Sequence, residues 1–189
     1  EEKIIEFFIK NFTKSFNTNL RFKLGFIYNV PERKEWDLLI TEMFSVMQKE
    51  SLDFTLFFRN LAYICATNDS LEKNIYFKQF HENKPVNDWL QKYKSFLFES
   101  FKNHPQSAHR NNDYFFSEVK KSMKSVNPAI VLRNWVAEEI IQDVGAGDYK
   151  IMEKALKYFE NPFLDYLENE DWSKIPPDWS KNLEVSCSS

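Results

Sequence analysis

Three glycines in 189 residues are too few for a chain built of tight hairpins, whose two-residue turns need the positive φ that glycine adopts most readily. The apolar residues recur three and four positions apart instead of alternating, which is the spacing of one face of a helix. The expected fold is therefore all-α: a single compact multi-helix domain over residues 1–171, followed by an irregular tail over 172–189. The polar stretch 102–112 has no apolar stripe and is the one place where a break would fall. A helical half of about 80 residues would be marginal on its own, so one domain is the simpler organisation.

Ile4, Ile5, Phe8, Ile9, Phe12 and Phe16 trace one stripe of a first helix, and Leu20, Leu24 and Ile27 suggest a short second one around Gly25. Pro31 stands where the next helix can start, and Trp36, Leu39, Ile40, Met43, Phe44 and Met47 give its face, ending near Lys49 or Glu50. Asp53 can cap a helix carrying Phe54, Phe57, Phe58, Leu61 and Ile64. Ser70 and Leu71 open a short helix to about His81. Pro85 lies at the start of another, with Trp89, Leu90, Tyr93, Phe96 and Leu97 inward. Asp113 is the expected cap of a helix to Lys124, and Asn127-Pro128 reads as the start of one running to Val144. Gly145 would end that helix, Asp148 cap the next, and Asn161-Pro162 stop it.

Composition removes several function classes. With 28 acidic against 25 basic residues and a net charge of −3, the chain has no general attraction for phosphate backbones, so nucleic acid is not an expected partner. The longest stretch free of Asp, Glu, Lys and Arg, Asn60 to Asn68, is less than half of the roughly 20 residues a membrane span needs, so no membrane is expected. Two cysteines, Cys65 and Cys187, are too few for a disulfide framework or a structural zinc site and point to a reduced, cytoplasmic setting. The opening Glu1-Glu2-Lys3 has neither an initiating methionine nor a signal sequence, which suggests a piece of a longer chain.

Few residues suggest chemistry. Gly145-Ala146-Gly147 begins like a phosphate-binding loop but lacks the third glycine and follows a helix, so a helix-ending turn is the better reading. His109-Arg110-Asn111 has Asn where a kinase catalytic loop carries its base. His81, His104 and His109 have no partner at metal-ligand spacing. Glu138 and Glu139 adjoin on a helix and point apart, which favours solvated surface over a carboxylate pair. Arg133, in an apolar helix, could reach a phosphate or carboxylate of an adjoining domain, although a structural ion pair within its own domain is the plainer reading.

The tail is the most specific segment. Pro176-Pro177-Asp178-Trp179 followed by Leu183-Glu184-Val185-Ser186-Cys187-Ser188-Ser189 resembles the carboxyl end of the selenoprotein O family, kinase-fold (pseudokinase) protein adenylyltransferases. Val126-Asn127-Pro128-Ala129-Ile130-Val131-Leu132-Arg133-Asn134-Trp135-Val136-Ala137, Gly147-Asp148 and Asn161-Pro162-Phe163 fit the same family in order and spacing. Lys23-Leu24-Gly25 and Asp53-Phe54-Thr55 through Phe58-Arg59 fit it more loosely. The resemblance covers only the family's carboxyl-terminal part.

It implies an enzyme that moves AMP from ATP, with Mg, to Ser, Thr or Tyr hydroxyls of protein substrates. The catalytic groups would belong to a missing amino-terminal kinase-like half, the expected partner of this chain. By that resemblance Cys187 is the redox candidate, because selenocysteine-containing relatives carry selenium at this antepenultimate position. Its partner thiol would lie in the kinase-like half, with Cys65 the internal alternative, and Lys181 is the one cation between Pro176 and Ser189 that could lower its pKa. Arg133 and Trp179 are the candidate interdomain contacts. A mitochondrial location would apply to a eukaryotic source. The competing reading is a self-standing helical module that binds a protein partner through exposed Phe or Trp.

Overall fold

A computed structural model describes residues 2–27, 33–66, 84–104 and 111–183. Among these the chain forms seven α-helices and no strand. They are α1 (Glu2–Lys23), α2 (Arg33–Lys49), α3 (Phe54–Ala66), α4 (Lys84–Lys102), α5 (Asn112–Val126), α6 (Asn134–Gly145) and α7 (Lys150–Glu160). Three short 3₁₀ segments follow, Asp165–Asn169, Asp171–Ser173 and Asp178–Asn182. The expected Ser70–His81 helix and the Pro31 start lie outside the described residues. Contacts divide the chain into two units, Glu1–Val126 and Asn127–Ser189. The 102–112 stretch falls inside the first.

In the first unit α3 packs on α5, α2 on α4, and the end of α1 on α5. Leu24, Phe26, Met43, Tyr93, Phe115 and Met123 are among its fully buried side chains. Tyr93 stacks on Trp89 at 5.2 Å, and its hydroxyl donates to the Leu24 carbonyl at 2.7 Å. The Trp89 indole N–H donates to the Leu39 carbonyl at 2.9 Å. Tyr93 and Trp89 thus keep their polar atoms satisfied while their rings fill the core.

Helix ends follow one device. The Gly25 amide bonds the Phe22 carbonyl and the Phe26 amide bonds the Arg21 carbonyl, with Gly25 at φ +76°: a Schellman ending with glycine at its left-handed position. Gly25 therefore terminates α1, and the short second helix expected around it does not exist. The same pair of bonds ends α2 at Ser51 and α6 at Gly147, with φ of 51° and 90°. At helix starts, the Asp53 side chain accepts the Leu56 amide at 2.8 Å as expected. The Tyr114 amide at the start of α5 is bonded by Asn111, at 2.9 Å, and not by the expected Asp113.

The largest departure is in the second unit. Residues 127–133 are not helical, and α6 begins at Asn134. Both the Ala129 and Ile130 amides bond the Pro162 carbonyl, and both side chains are buried. Asn127-Pro128 is a sound local start signal, but helix there would pull Ile130 away from that bond and out of the core. Around Ile130 the second core gathers Trp135, Val136, Ala155, Tyr158, Leu167 and Trp172.

Candidate functional site

The chemistry-bearing side chains of the second unit collect around Trp172. The ring stacks on Phe159 at 6.2 Å and meets Tyr158 edge-on at 6.0 Å. Its indole N–H donates to Glu139 Oε2 at 2.9 Å, and its carbonyl accepts Arg133 Nη1 at 2.8 Å. Lys154 Nζ lies 5.2 Å from the centroids of both Trp172 and Tyr158 and forms a 3.2 Å ion pair with Glu170. Together α6, α7 and the Asp171–Ser173 turn are fastened through one tryptophan.

Glu139 is thus not simple solvated surface, as its position beside Glu138 suggested. It is half-buried and engages the indole, while Glu138 accepts a bond from Gln142 one turn on. Arg133 is in extended backbone just before α6, where its guanidinium bonds Trp172 in the same unit. Trp179 is 46% exposed and sets its ring edge-to-face against Trp135, centroids 6.3 Å apart. Trp135 is buried and its Nε1 lacks a hydrogen-bond partner. Cys187, His81 and His109 lie outside the described residues, as does the side chain of Cys65.

Hydrogen bonding from Tyr158, with Lys154 beside it, lowers the Glu170 pKa against the opposing pull of burial. Burial first, then Glu170, pushes the Tyr158 hydroxyl up to about 12. The signs follow from linkage. Glu170 stabilises the fold above the pKa of its unfolded form, and that contribution is lost as pH falls through its lower folded value. Tyr158 acts oppositely: its contribution is present below the unfolded tyrosine value and lost as pH rises toward 12. Urea midpoints of the second unit should therefore fall on the acid side, and Glu170→Gln should flatten that limb. An unchanged acid limb in the variant would remove Glu170 from the account.

Gly145-Ala146-Gly147 ends α6 in a Schellman turn, at the helix terminus whose dipole carries partial negative charge and disfavours phosphate. Among the described residues no three His, Cys, Asp or Glu side chains come together to hold a metal ion, and no helix is long and apolar enough to cross a membrane.

In the first unit the loosely matching blocks Lys23–Gly25 and Asp53–Arg59 converge on the end of α5. Lys23 Nζ bonds the Val126 carbonyl at 3.3 Å and lies 5.5 Å from the Phe58 ring centroid; burial lowers its pKa. Buried Arg59 donates to the Lys124 carbonyl at 2.9 Å. Two distant cations thus bond carbonyls that the last helical turn leaves unpaired. Sequence reading could not foresee this, since the partners are far apart in the chain.

These blocks agree with a comparison to known protein families, which places the chain among protein adenylyltransferases. The matching model is described as Protein adenylyltransferase SelO, and it fits residues 1–175. The chain belongs to the SelO family.

Proposed function

We propose that this chain is the carboxyl-terminal helical region of a SelO-type adenylyltransferase and supports or redox-regulates AMP transfer without performing it. The observation that carries this reading is the family match over 1–175, with the blocks from Val126 onward resembling that family's carboxyl-terminal part. In the complete enzyme, attack of a Ser, Thr or Tyr hydroxyl on the α-phosphorus of ATP would release pyrophosphate, with Mg and the groups that hold it supplied by a kinase-like half. The contribution of this chain would be mechanical: Arg133, Glu139 and Trp172 hold the second unit in one shape, and the tail carries Cys187 toward a thiol of that half.

Incubated with labelled ATP, Mg and an acceptor protein, these 189 residues are expected to transfer no AMP. Transfer by the chain alone would overturn the reading. For the redox part, peptide mapping under non-reducing conditions should find no bond between Cys65 and Cys187; such a bond would remove the tether to a second half.

A self-standing interaction module is the second reading, favoured by the exposed apolar side chains of α1. The coding sequence separates the two: an in-frame upstream extension with a glycine-rich loop and a metal-binding Asp excludes the module.

A further inference from the structure

Trp172 and Ser173 are buried in the second unit, but no residue from Lys174 to Leu183 is. Among the described residues, every hydrogen bond of this stretch runs within it or back to Asp171. Pro176 and Pro177 hold their own φ near the extended range, with Pro177 at φ −66° and ψ 153°, so the stretch is a stiff arm that ends in the Asp178–Asn182 turn. The ring that seats this arm is Trp179, edge-to-face on Trp135 at 6.3 Å.

Trp135 is 6% exposed and its Nε1 has no hydrogen-bond partner, whereas the Trp172 indole in the same core donates to Glu139. A donor that gives up water without a replacement weakens the state that buries it by roughly 5- to 150-fold. Trp179 opposes this. It is 46% exposed, so about half of its surface is covered, on the order of 100 Å² and worth roughly 10- to 100-fold.

We infer that residues 174–183 are a detachable strap that pivots at Lys174. Docking gains the Trp179 contact and loses the hydration of the Trp135 N–H. The two effects are of similar size, so the docked state should exceed the lifted one by only about tenfold. Lifting changes how far the chain beyond the strap extends. From a docked Leu183, Cys187 can stand at most about 14 Å away, and from the Lys174 pivot about 45 Å. That this range serves a redox contact rests on the reading of Cys187 proposed above; the strap itself does not.

The test is solution NMR of the whole chain with a reducing agent present, so that a bond to Cys187 plays no part in the outcome. Exchange with water is measured for the indole hydrogens of Trp135 and Trp172 beside the backbone amides. The Ser180 and Leu183 amides close the strap's turn, and a turn this short melts once undocked. Their protection should be about tenfold, far below that of the Ala129 and Ile130 amides, which bond the Pro162 carbonyl. Trp179→Ala should raise exchange of the Trp135 indole hydrogen by about the same tenfold and leave that of Trp172 unchanged. Trp135→Phe keeps an aromatic ring but deletes the donor, and should raise protection of the two strap amides by about fivefold or more. The Ala129 and Ile130 amides, having lost packing, should then be protected less, whereas a purely structural role for Trp135 would lower both sets together. Trp179 is half-exposed, so its variant stays folded and decides the matter by itself should the Trp135 variant unfold. A Trp135 indole hydrogen indifferent to Trp179→Ala, strap amides protected as strongly as Ala129 and Ile130, or strap amides that lose protection in a folded Trp135→Phe would each overturn the inference.

Discussion

Trp172→Ala should destabilise the Asn127–Ser189 unit by about 3–5 kcal/mol, the usual cost of emptying a large aromatic site. The effect should lie toward the upper end because more than volume is lost. Phe159 loses a stacked ring, Tyr158 an edge-on one, and half-buried Glu139 loses the indole donor that faces it. Trp172→Phe retains most of the apolar surface but leaves Glu139 without that bond, and should cost about 1–3 kcal/mol. The Trp172 backbone carbonyl survives both changes, so its bond to Arg133 is not what the pair measures. Urea unfolding followed by tryptophan emission, with Trp135 and Trp179 as the remaining reporters of that unit and Trp36 and Trp89 reporting the first, provides the comparison. Equal losses in the two variants would show that the Glu139 bond dominates over packing.

Gly25→Ala should cost the first unit about 2–4 kcal/mol, combining a left-handed backbone with overpacking. A β-carbon at Gly25 would lie 2.7 Å from Val119 Cγ1 and 2.8 Å from Met123 Sδ, both on α5 in the core. Gly147 isolates the first of these causes. Its φ is +90°, yet nothing lies within 4 Å of a β-carbon there, so Gly147→Ala should cost only about 1 kcal/mol. Ser51 reverses the experiment. It occupies the same left-handed position at φ 51°, and Ser51→Gly should stabilise by up to about 1 kcal/mol by relieving that strain. Chemical denaturation midpoints of the three variants test the series. A Gly25→Ala loss no greater than that of Gly147→Ala would mean that α5 yields to the added carbon.

Local pattern carried much of the fold. The stripe from Trp36 to Met47 and the Asp53 cap are short-range signals, and α2 and α3 form where those signals stand. Gly25 was misread because a glycine between Leu20, Leu24 and Ile27 can open a helix or end one; the core that buries Leu24 and Phe26 decides the matter. Asn127-Pro128 failed for the opposite reason, since a correct cap signal is overridden when Ile130 is needed in a core and at the Pro162 carbonyl. Glu139 could not be told from Glu138 before it was known which one faced Trp172. The acidic stretch 165–171 gave no hint that Leu167 within it would be fully buried.

From sequence alone came the all-α class, through helical periodicity and the scarcity of glycine, and the family resemblance, through short blocks spread along the chain. Both depend on residues close together in the chain, where spacing and backbone preference act directly. The tertiary structure decided what those blocks hold: Lys23 and Arg59 on the carbonyls that end α5, and Arg133 and Glu139 on Trp172. A buried polar group takes whichever partner the packed core presents, and that partner is set by the fold, not by nearness in the chain.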